Sequence, residues 1–574
     1  MQVKIPFDLP EGHALHEDLY QCGLFRTLPP ALQQACQQNV HLLEYLHMLP
    51  IEKTGVPQYY PKLNRKLGDL KPRNLFYPVA EDVLIHVWSG SGEERDMYIP
   101  IEPSLSVKLN GKMTQVENRL LDMATEFADV ETQEEREQAL LSALKTVCQV
   151  PGSQGQARPG RRGFFSRGDR SIPVTAREFH AIRYLVLRDK AGLGVLHPMV
   201  QDSNIEDISC SGLGHIFLEH KIFKGMKSAV VFETHEELDE FVLRLSEHIK
   251  RPVTLRNPIV DAVLPDGSRI NIVYGKEVSQ RGSNFSIRKF NDTPLSVMEL
   301  IEFGSLNYHM AAYLSLVLEE GMNTFVAGET ASGKTTLLNA LTTFIPAVAK
   351  VVSIEDTPEL QVPHSNWIRE VSKALRRGEQ GGEVSMFDLL KAALRQRPNV
   401  IIIGEIRGEE GAIAFQAMQT GHAVMATFHA SSVEKLIQRL TGNPINVPKT
   451  YIDNLNIVVI QSAVKLPNGK LGRRSVSINE IVGYDPVANT FSFVEVFRWD
   501  PSADTFEFVG YKNSYILEEK IARKRGLPPN RKWEIYDKLE KRAKILRKLH
   551  KEKGITGYYE LLRVIARAQQ EGLF

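Results

Sequence analysis

Gly328-Glu329-Thr330-Ala331-Ser332-Gly333-Lys334-Thr335 is the stretch from which the rest of the chain is read, because it fits the Walker A pattern G-x-x-x-x-G-K-[ST]. Residues 322–327 before it are expected to be a short buried strand. Residues 336–344 after it carry Leu337, Leu338 and Leu341 at helical spacing. Strand, loop and helix in that order are the context the motif requires. Glycines let the loop wrap with no side chain in the way, so that successive backbone amides and the helix N-terminus face phosphate oxygens. Residues Gly328, Glu329, Thr330, Ala331, Ser332, Gly333, Lys334, Thr335 and Thr336 are therefore candidates for binding ATP. Lys334 would reach the β- and γ-phosphates, and the Thr335 hydroxyl would hold Mg²⁺. The bland alternative is a glycine-rich turn.

The chain has 574 residues, which suggests three or four folding units, and 70 basic residues stand against 69 acidic ones. Near-neutrality gives no footing for a nucleic-acid partner, and none is expected. Four scattered cysteines, Cys22, Cys36, Cys148 and Cys210, contain no C-x-x-C pair, which argues against a zinc site or a disulfide framework and fits a reducing cytosol. No run approaches 18 uninterrupted apolar residues, and Asp8, Glu11, Glu17 and Asp18 occupy the place where a signal peptide needs an apolar core. Work at a membrane would need an anchoring partner.

Residues 1–150 suggest short amphipathic helices over 28–49, strands within 77–101 such as the run at 83–88, and one long acidic-faced helix over 117–147. They are expected to form a variable amino-terminal, partner-contacting region. Residues 151–172 are rich in glycine, proline and arginine and are expected to be a flexible basic linker. From 173 to 290 the texture becomes mixed α/β. Helices are expected over 176–190 and 235–249, and strands at 205–209, 215–220, after the 264–268 turn, and at 285–290. Arg269, Arg281 and Arg288 fall near those strand ends. They are either ordinary salt-bridging arginines or groups that neutralise phosphate charge, in that case from a neighbouring subunit.

Asn291-Asp292-Thr293-Pro294 is the expected hinge into the nucleotide-binding domain at 291–510, with Asp292 or Thr293 as a helix cap. Two continuous apolar strands follow the Walker A helix. The one at 350–354 ends in Glu355, and the one at 400–403 ends in Gly404-Glu405. Carboxylates at the carboxyl ends of parallel strands stand where open α/β sheets bind ligands. Phosphoryl transfer needs one group to position Mg²⁺ and another to orient water, so Glu405 and Glu355 are catalytic candidates. A further strand at 423–428 ends at His429, which either hydrogen-bonds the γ-phosphate or is a satisfied core histidine. Residues 511–574 are helical and basic, with 17 Lys and Arg against 8 Asp and Glu. Such a run is a solvated face, or it meets an anionic membrane or an acidic loop.

Walker A, the box Ile354-Glu355-Asp356-Thr357-Pro358-Glu359-Leu360, the box Gly404-Glu405-Ile406-Arg407-Gly408-Glu409-Glu410 and the segment from Thr420-Gly421-His422 to Phe428-His429-Ala430 occur in sequence. Together they resemble the secretion ATPase superfamily of type II and type IV secretion and type IV pili. Arg395-Gln396-Arg397-Pro398, Asn366-Trp367-Ile368 and Trp499-Asp500-Pro501 resemble its archaeal branch, and residues 428–464 resemble the archaellum (archaeal flagellum) motor ATPase. The resemblance spans residues 174–574. It implies a RecA-like P-loop core preceded by a mixed α/β domain, with ATP and Mg²⁺ as cofactors. By position it implies Lys334 and Thr335 on phosphate and metal, Glu355 as base or water positioner, and Glu405 as the Walker B acid and metal ligand. It also implies His429 as γ-phosphate sensor and Arg269, Arg281 and Arg288 as trans-acting arginines. Its implied assembly is a cytoplasmic homohexamer, peripheral at the inner face of the cell membrane, docked on a polytopic membrane platform protein with accessory cytosolic motor proteins. Its implied work is assembly and rotation of a type IV pilus-like filament, with an adhesive pilus, a type II-like secretion system or a DNA-translocating ATPase as alternatives. A nucleotide-binding scaffold without turnover is the non-catalytic alternative. Bacterial pilus-extension members carry a four-cysteine zinc insert after the core, and this chain has no cysteine after Cys210.

Overall fold

The computed structural model describes residues 2–7, 21–90, 95–105, 107–123, 132–150, 171–290, 293–373 and 382–574. The chain divides into two units, Met1–Asn291 and Asp292–Phe574. Residues 151–170, most of the expected linker, and residues 291–292 of the expected hinge lie outside the described residues.

The amino-terminal unit is built on a mixed sheet. From one edge its strands run Ile259–Val263, Arg269–Val273, Asn284–Arg288, Ile205–Cys210, Gly214–His220, Lys224–Phe232, Met97–Ile101, Val83–Trp88, Asn74–Ala80 and Gln58–Tyr59. Sequence reasoning set residues 1–150 apart from 173–290, yet the sheet joins them, because Met97–Ile101 pairs in parallel with Lys224–Phe232. Three of these strands show why one face is core. Ile208, Ile270, Ile272, Phe285 and Ile287 are buried, while the intervening residues are polar or partly open.

The expected single helix over 117–147 is two helices, Lys112–Asp122 and Gln133–Val147. The second starts with a capping box in which Thr132 and Glu135 each accept the other's backbone amide. That signal fixes a new N-terminus regardless of the amphipathic pattern running through it.

In the carboxyl-terminal unit the expected cap at Asp292 or Thr293 is instead Ser296, which caps Val297–Glu302 through a box with Glu299. Helix Tyr308–Glu319 is buried on almost every side, capped by Asn307. The sheet beyond it has the order Trp367–Val371, Val351–Glu355, Val400–Ile406, Ala423–Phe428, Thr324–Gly328, Ile457–Lys465, all parallel. Antiparallel Leu471–Asp485, Thr490–Asp500 and Thr505–Glu507 complete it. One strand separates the P-loop strand Thr324–Gly328 from the Walker B strand Val400–Ile406. This is the RecA-like α/β arrangement. The central strands are continuous apolar runs, as burial on both faces demands.

The basic carboxyl-terminal helices Glu534–Lys551 and Tyr558–Gln570 bury Ile535, Leu539, Leu546, Leu561 and Ile565 in the same core as Met310, Leu314 and Val317. The buried carboxylate of Glu480 pins the segment that leads toward them against helix Tyr308–Glu319, accepting from the Tyr313 and Ser514 hydroxyls at 2.6 and 2.5 Å and from the Ile516 amide at 3.0 Å.

Candidate nucleotide site

The P-loop leaves the buried strand Thr324–Gly328 and turns into helix Lys334–Leu341. A Cβ on Gly328 would stand 2.1 Å from the Gln461 carbonyl oxygen, so only glycine fits where the loop leaves the sheet. Gly333, at φ +93°, occupies the N-cap in the left-handed region and supplies no capping side chain. The first amides of the helix therefore remain open toward the loop, which is the geometry that binds an anion. Buried Ser332 braces the loop by donating to the Glu329 carbonyl at 2.8 Å. The Lys334 ammonium donates to the same carbonyl at 2.9 Å. Its pKa is lowered by burial, against which Glu405 and Glu359 act. Thr335 and Thr336 are half-buried in the first helical turn. The cradle, the open amides and the lysine fit a polyphosphate.

The two carboxylates at the neighbouring strand ends differ. Glu355, the last residue of Val351–Glu355, is 1% exposed. Its Oε1 accepts from the Glu359 and Leu360 amides at 2.7 and 2.8 Å, and Arg369 Nε lies 3.4 Å from Oε2. Burial raises its pKa above the ordinary glutamate value despite those hydrogen bonds and Arg369. Gly404 makes room for it, since a Cβ there would come within 3.2 Å of the Glu355 Cγ. Glu405 is half-buried on the Walker B strand and receives Arg407 Nη2 at 2.6 Å. Burial acts to raise its pKa, but the Arg407 hydrogen bond and charge, with Lys334 and His429, hold it below the usual value. The ionised form of Glu405 is thus favoured beside Lys334, the charge state in which it could hold a divalent cation together with Thr335. Arg407 Nη1 also reaches Asp356 at 3.3 Å, so one exposed guanidinium links the two acidic strand ends.

His429 follows the strand Ala423–Phe428, and its Nε2 pairs with the Thr330 hydroxyl at 2.8 Å. The histidine is thereby bonded to the loop. Beside this pair a cleft of about 830 Å³ is lined by Glu329, Thr330, His429, Lys435, Arg439 and Asn443, among others.

Arg269 and Arg288 begin and end adjacent antiparallel strands of the amino-terminal unit and stand directly opposite each other, with Arg288 also opposite Asp207. Two like charges in register oppose pairing unless an anion compensates them. Arg281 is not on a strand and lies in the turn before Asn284–Arg288, where its carbonyl accepts the Leu213 amide at 3.4 Å. The three arginines therefore do not form one cluster along the sheet. Sequence reasoning missed Arg407, although it stands inside the quoted acidic box, and Arg369, whose strand Trp367–Val371 it did not anticipate.

Comparison with known proteins gives this arrangement its class. Residues 189–472 match the family described as type II/IV secretion system protein. The chain is 43% identical to the uncharacterized protein MJ0900 of Methanocaldococcus jannaschii over 94% of this chain and 97% of that protein. It is 29% identical to the type IV secretion system protein PtlH of Bordetella pertussis over 43% of this chain and 79% of that one. The solved ATPase DotB of Legionella pneumophila aligns over 64% of this chain and 94% of its own, with 18% identity and a TM-score of 0.38. The chain belongs to the type II/IV secretion ATPase superfamily. Among the described residues no helix is long and apolar enough to cross a membrane.

Proposed function

We propose that the chain is the ATP-hydrolysing motor that powers assembly and rotation of an archaeal type IV pilus-like filament, the archaellum. The observation that carries hydrolysis is the convergence of Lys334, ionised Glu405 and His429 on one P-loop, with Glu355 standing beside the Walker B strand at Gly404. Lys334 and the open amides of the loop bind the phosphates, Thr335 and Glu405 would hold Mg²⁺, and Glu355 orients or deprotonates the attacking water. Mg²⁺ would supply neutralisation of the phosphate charge. His429, bonded to Thr330, reports the γ-phosphate.

The archaellum reading is supported by the resemblance of residues 428–464 to the archaellum motor ATPase. Similarity to PtlH keeps a secretion ATPase as the second reading, alongside an adhesive-pilus motor. The working form would be a homohexamer at the inner face of the cell membrane, with a polytopic platform protein and accessory cytosolic motor proteins and without nucleic acid. Arg269 and Arg288, set opposite each other, are then candidates to serve a neighbouring subunit's nucleotide, and Arg281 would have to act separately.

Phosphate release from ATP by the purified chain tests hydrolysis, and a folded chain that releases none refutes it. Co-purification with archaellum, adhesive-pilus and secretion platform proteins decides the system. Stimulation of turnover by the archaellum platform alone is the expected result, and stimulation by another platform instead would overturn that assignment.

A further inference from the structure

Arg473 belongs to none of the motifs above, yet it touches the P-loop. Its Nε donates to the Ala331 carbonyl at 3.1 Å, and its Cδ lies 3.2 Å from where a Cβ on Gly333 would stand. Ala331 is at φ +61°, a left-handed conformation that a residue with a Cβ rarely adopts, so its carbonyl is aimed by the loop and met by the arginine. The Nη groups of Arg473 make no hydrogen bond or ion pair among the described residues, and the side chain is exposed. A planar guanidinium fixed through Nε alone keeps its face and four N–H groups for something else.

The sheet order says which part of a nucleotide that would be. The P-loop strand Thr324–Gly328 lies between Ala423–Phe428 on one flank and Ile457–Lys465 on the other. His429 and, one strand further, Glu405 stand on the first flank, where Thr330 is tied to His429. Arg473 comes from the second, carried by Leu471–Asp485 opposite Ala463 of Ile457–Lys465. A triphosphate with its γ end at His429 and Glu405 leaves its nucleoside toward the opposite flank. Leu471 projects from the same face two residues from Arg473 and is 82% exposed, an apolar neighbour that suits a base better than water.

Resting on the nucleotide-binding reading above, we infer that Arg473 is a positioning residue on the nucleoside side of the site. It takes the base against its guanidinium face while its Nε steadies the loop at Ala331. The ligand class is a nucleoside di- or triphosphate, and inorganic polyphosphate would not use this contact.

The test measures dissociation constants for ADP, ATP and inorganic tripolyphosphate on the full chain as wild type, Arg473→Ala and Arg473→Lys. Arg473→Ala is expected to weaken ADP and ATP by roughly twofold to fivefold, the scale of a cation–π contact at an exposed site, and to leave tripolyphosphate unchanged. Arg473→Lys, which keeps the charge and loses the plane, is expected to fall between. Equal weakening of tripolyphosphate and the nucleotides would reduce Arg473 to a brace for the loop and overturn the inference. Unchanged nucleotide affinity would overturn it too. Wild-type protein that binds none of the three ligands would instead overturn the nucleotide reading itself.

Discussion

The strand ends at Glu355 and Glu405 look alike in sequence, each an acidic residue closing an apolar run, and the structure makes them opposites. Glu355 is buried, held by two main-chain amides, and its pKa is raised by burial. Glu405 is half-open, and Arg407, Lys334 and His429 outweigh its burial to keep the pKa low. A metal ligand must be ionised whenever substrate is present, whereas a base works best with a pKa moved toward the operating pH. The difference supports Glu405 as the proposed metal ligand and Glu355 as the proposed base, the roles that the family resemblance implies.

The largest effect breaks both sides of the comparison at once. Lys334→Ala removes the cation proposed to face the phosphates and is expected to weaken ATP binding by roughly a hundredfold or more, as loss of a charge-assisted contact in a water-poor site does. Isothermal titration on a variant with unchanged circular dichroism checks it.

Next come the carboxylates one at a time. Glu405→Gln is expected to retain ATP binding in the absence of Mg²⁺, to lose the Mg²⁺-dependent gain in affinity, and to lower kcat by roughly a hundredfold. Glu355→Gln keeps an oxygen for the Glu359 and Leu360 amides, so it is expected to bind ATP and Mg²⁺ normally and lose turnover by a similar factor. The raised pKa of Glu355 also carries a stability signature. Between the ordinary glutamate value and the raised folded value the native state holds more protons than the unfolded one, so the contribution of Glu355 to stability falls as pH rises through that window. Thermal unfolding against pH should lose that part of its slope in Glu355→Gln.

The arginines of the amino-terminal unit are expected to act on a neighbour's site. Arg288→Ala or Arg269→Ala, mixed with Lys334→Ala, should recover turnover above either parent if an intact arginine meets an intact P-loop, since arginine-finger contributions of about 10³ leave ample range. Mixed assemblies, verified by mass, with no gain would return this pair to a structural role beside Asp207.

The smallest effect sharpens the comparison. Arg407→Ala frees Glu405 from its strongest partner and should move its titration upward. With Arg407 well exposed, the cost in turnover near neutral pH is expected to be only about threefold to tenfold, growing as pH falls. A pH–rate profile of the variant against wild type measures it.

What could be read in advance was what lies contiguous in the chain. The P-loop strand, the runs ending in Glu355 and Glu405, and the strand before His429 are largely apolar segments with a chemically distinctive end, and the helix after the P-loop carries Leu337, Leu338 and Leu341 at helical spacing. What could not be read depends on residues that crossover connections bring together. Arg369 reaches Glu355 only because Trp367–Val371 is the next strand, and its alternating pattern does not resemble the apolar core strands. Arg473 reaches Ala331 across 142 positions of sequence. Local caps misled in two places. Ser296, not Asp292 or Thr293, starts its helix, and the Thr132 box divides what reads as a single amphipathic helix. In each case a reciprocal side-chain bond to the backbone outweighs the coarser pattern.

The most direct test of the account is single-turnover phosphate release followed against pH for wild type and Glu355→Gln at saturating ATP and Mg²⁺. The account predicts that wild type releases phosphate and loses activity on the acid side through a limb above the ordinary glutamate range, while Glu355→Gln binds ATP, releases phosphate roughly a hundredfold more slowly and shows no such limb. Wild-type rates in Glu355→Gln, with the acid limb intact, would contradict it.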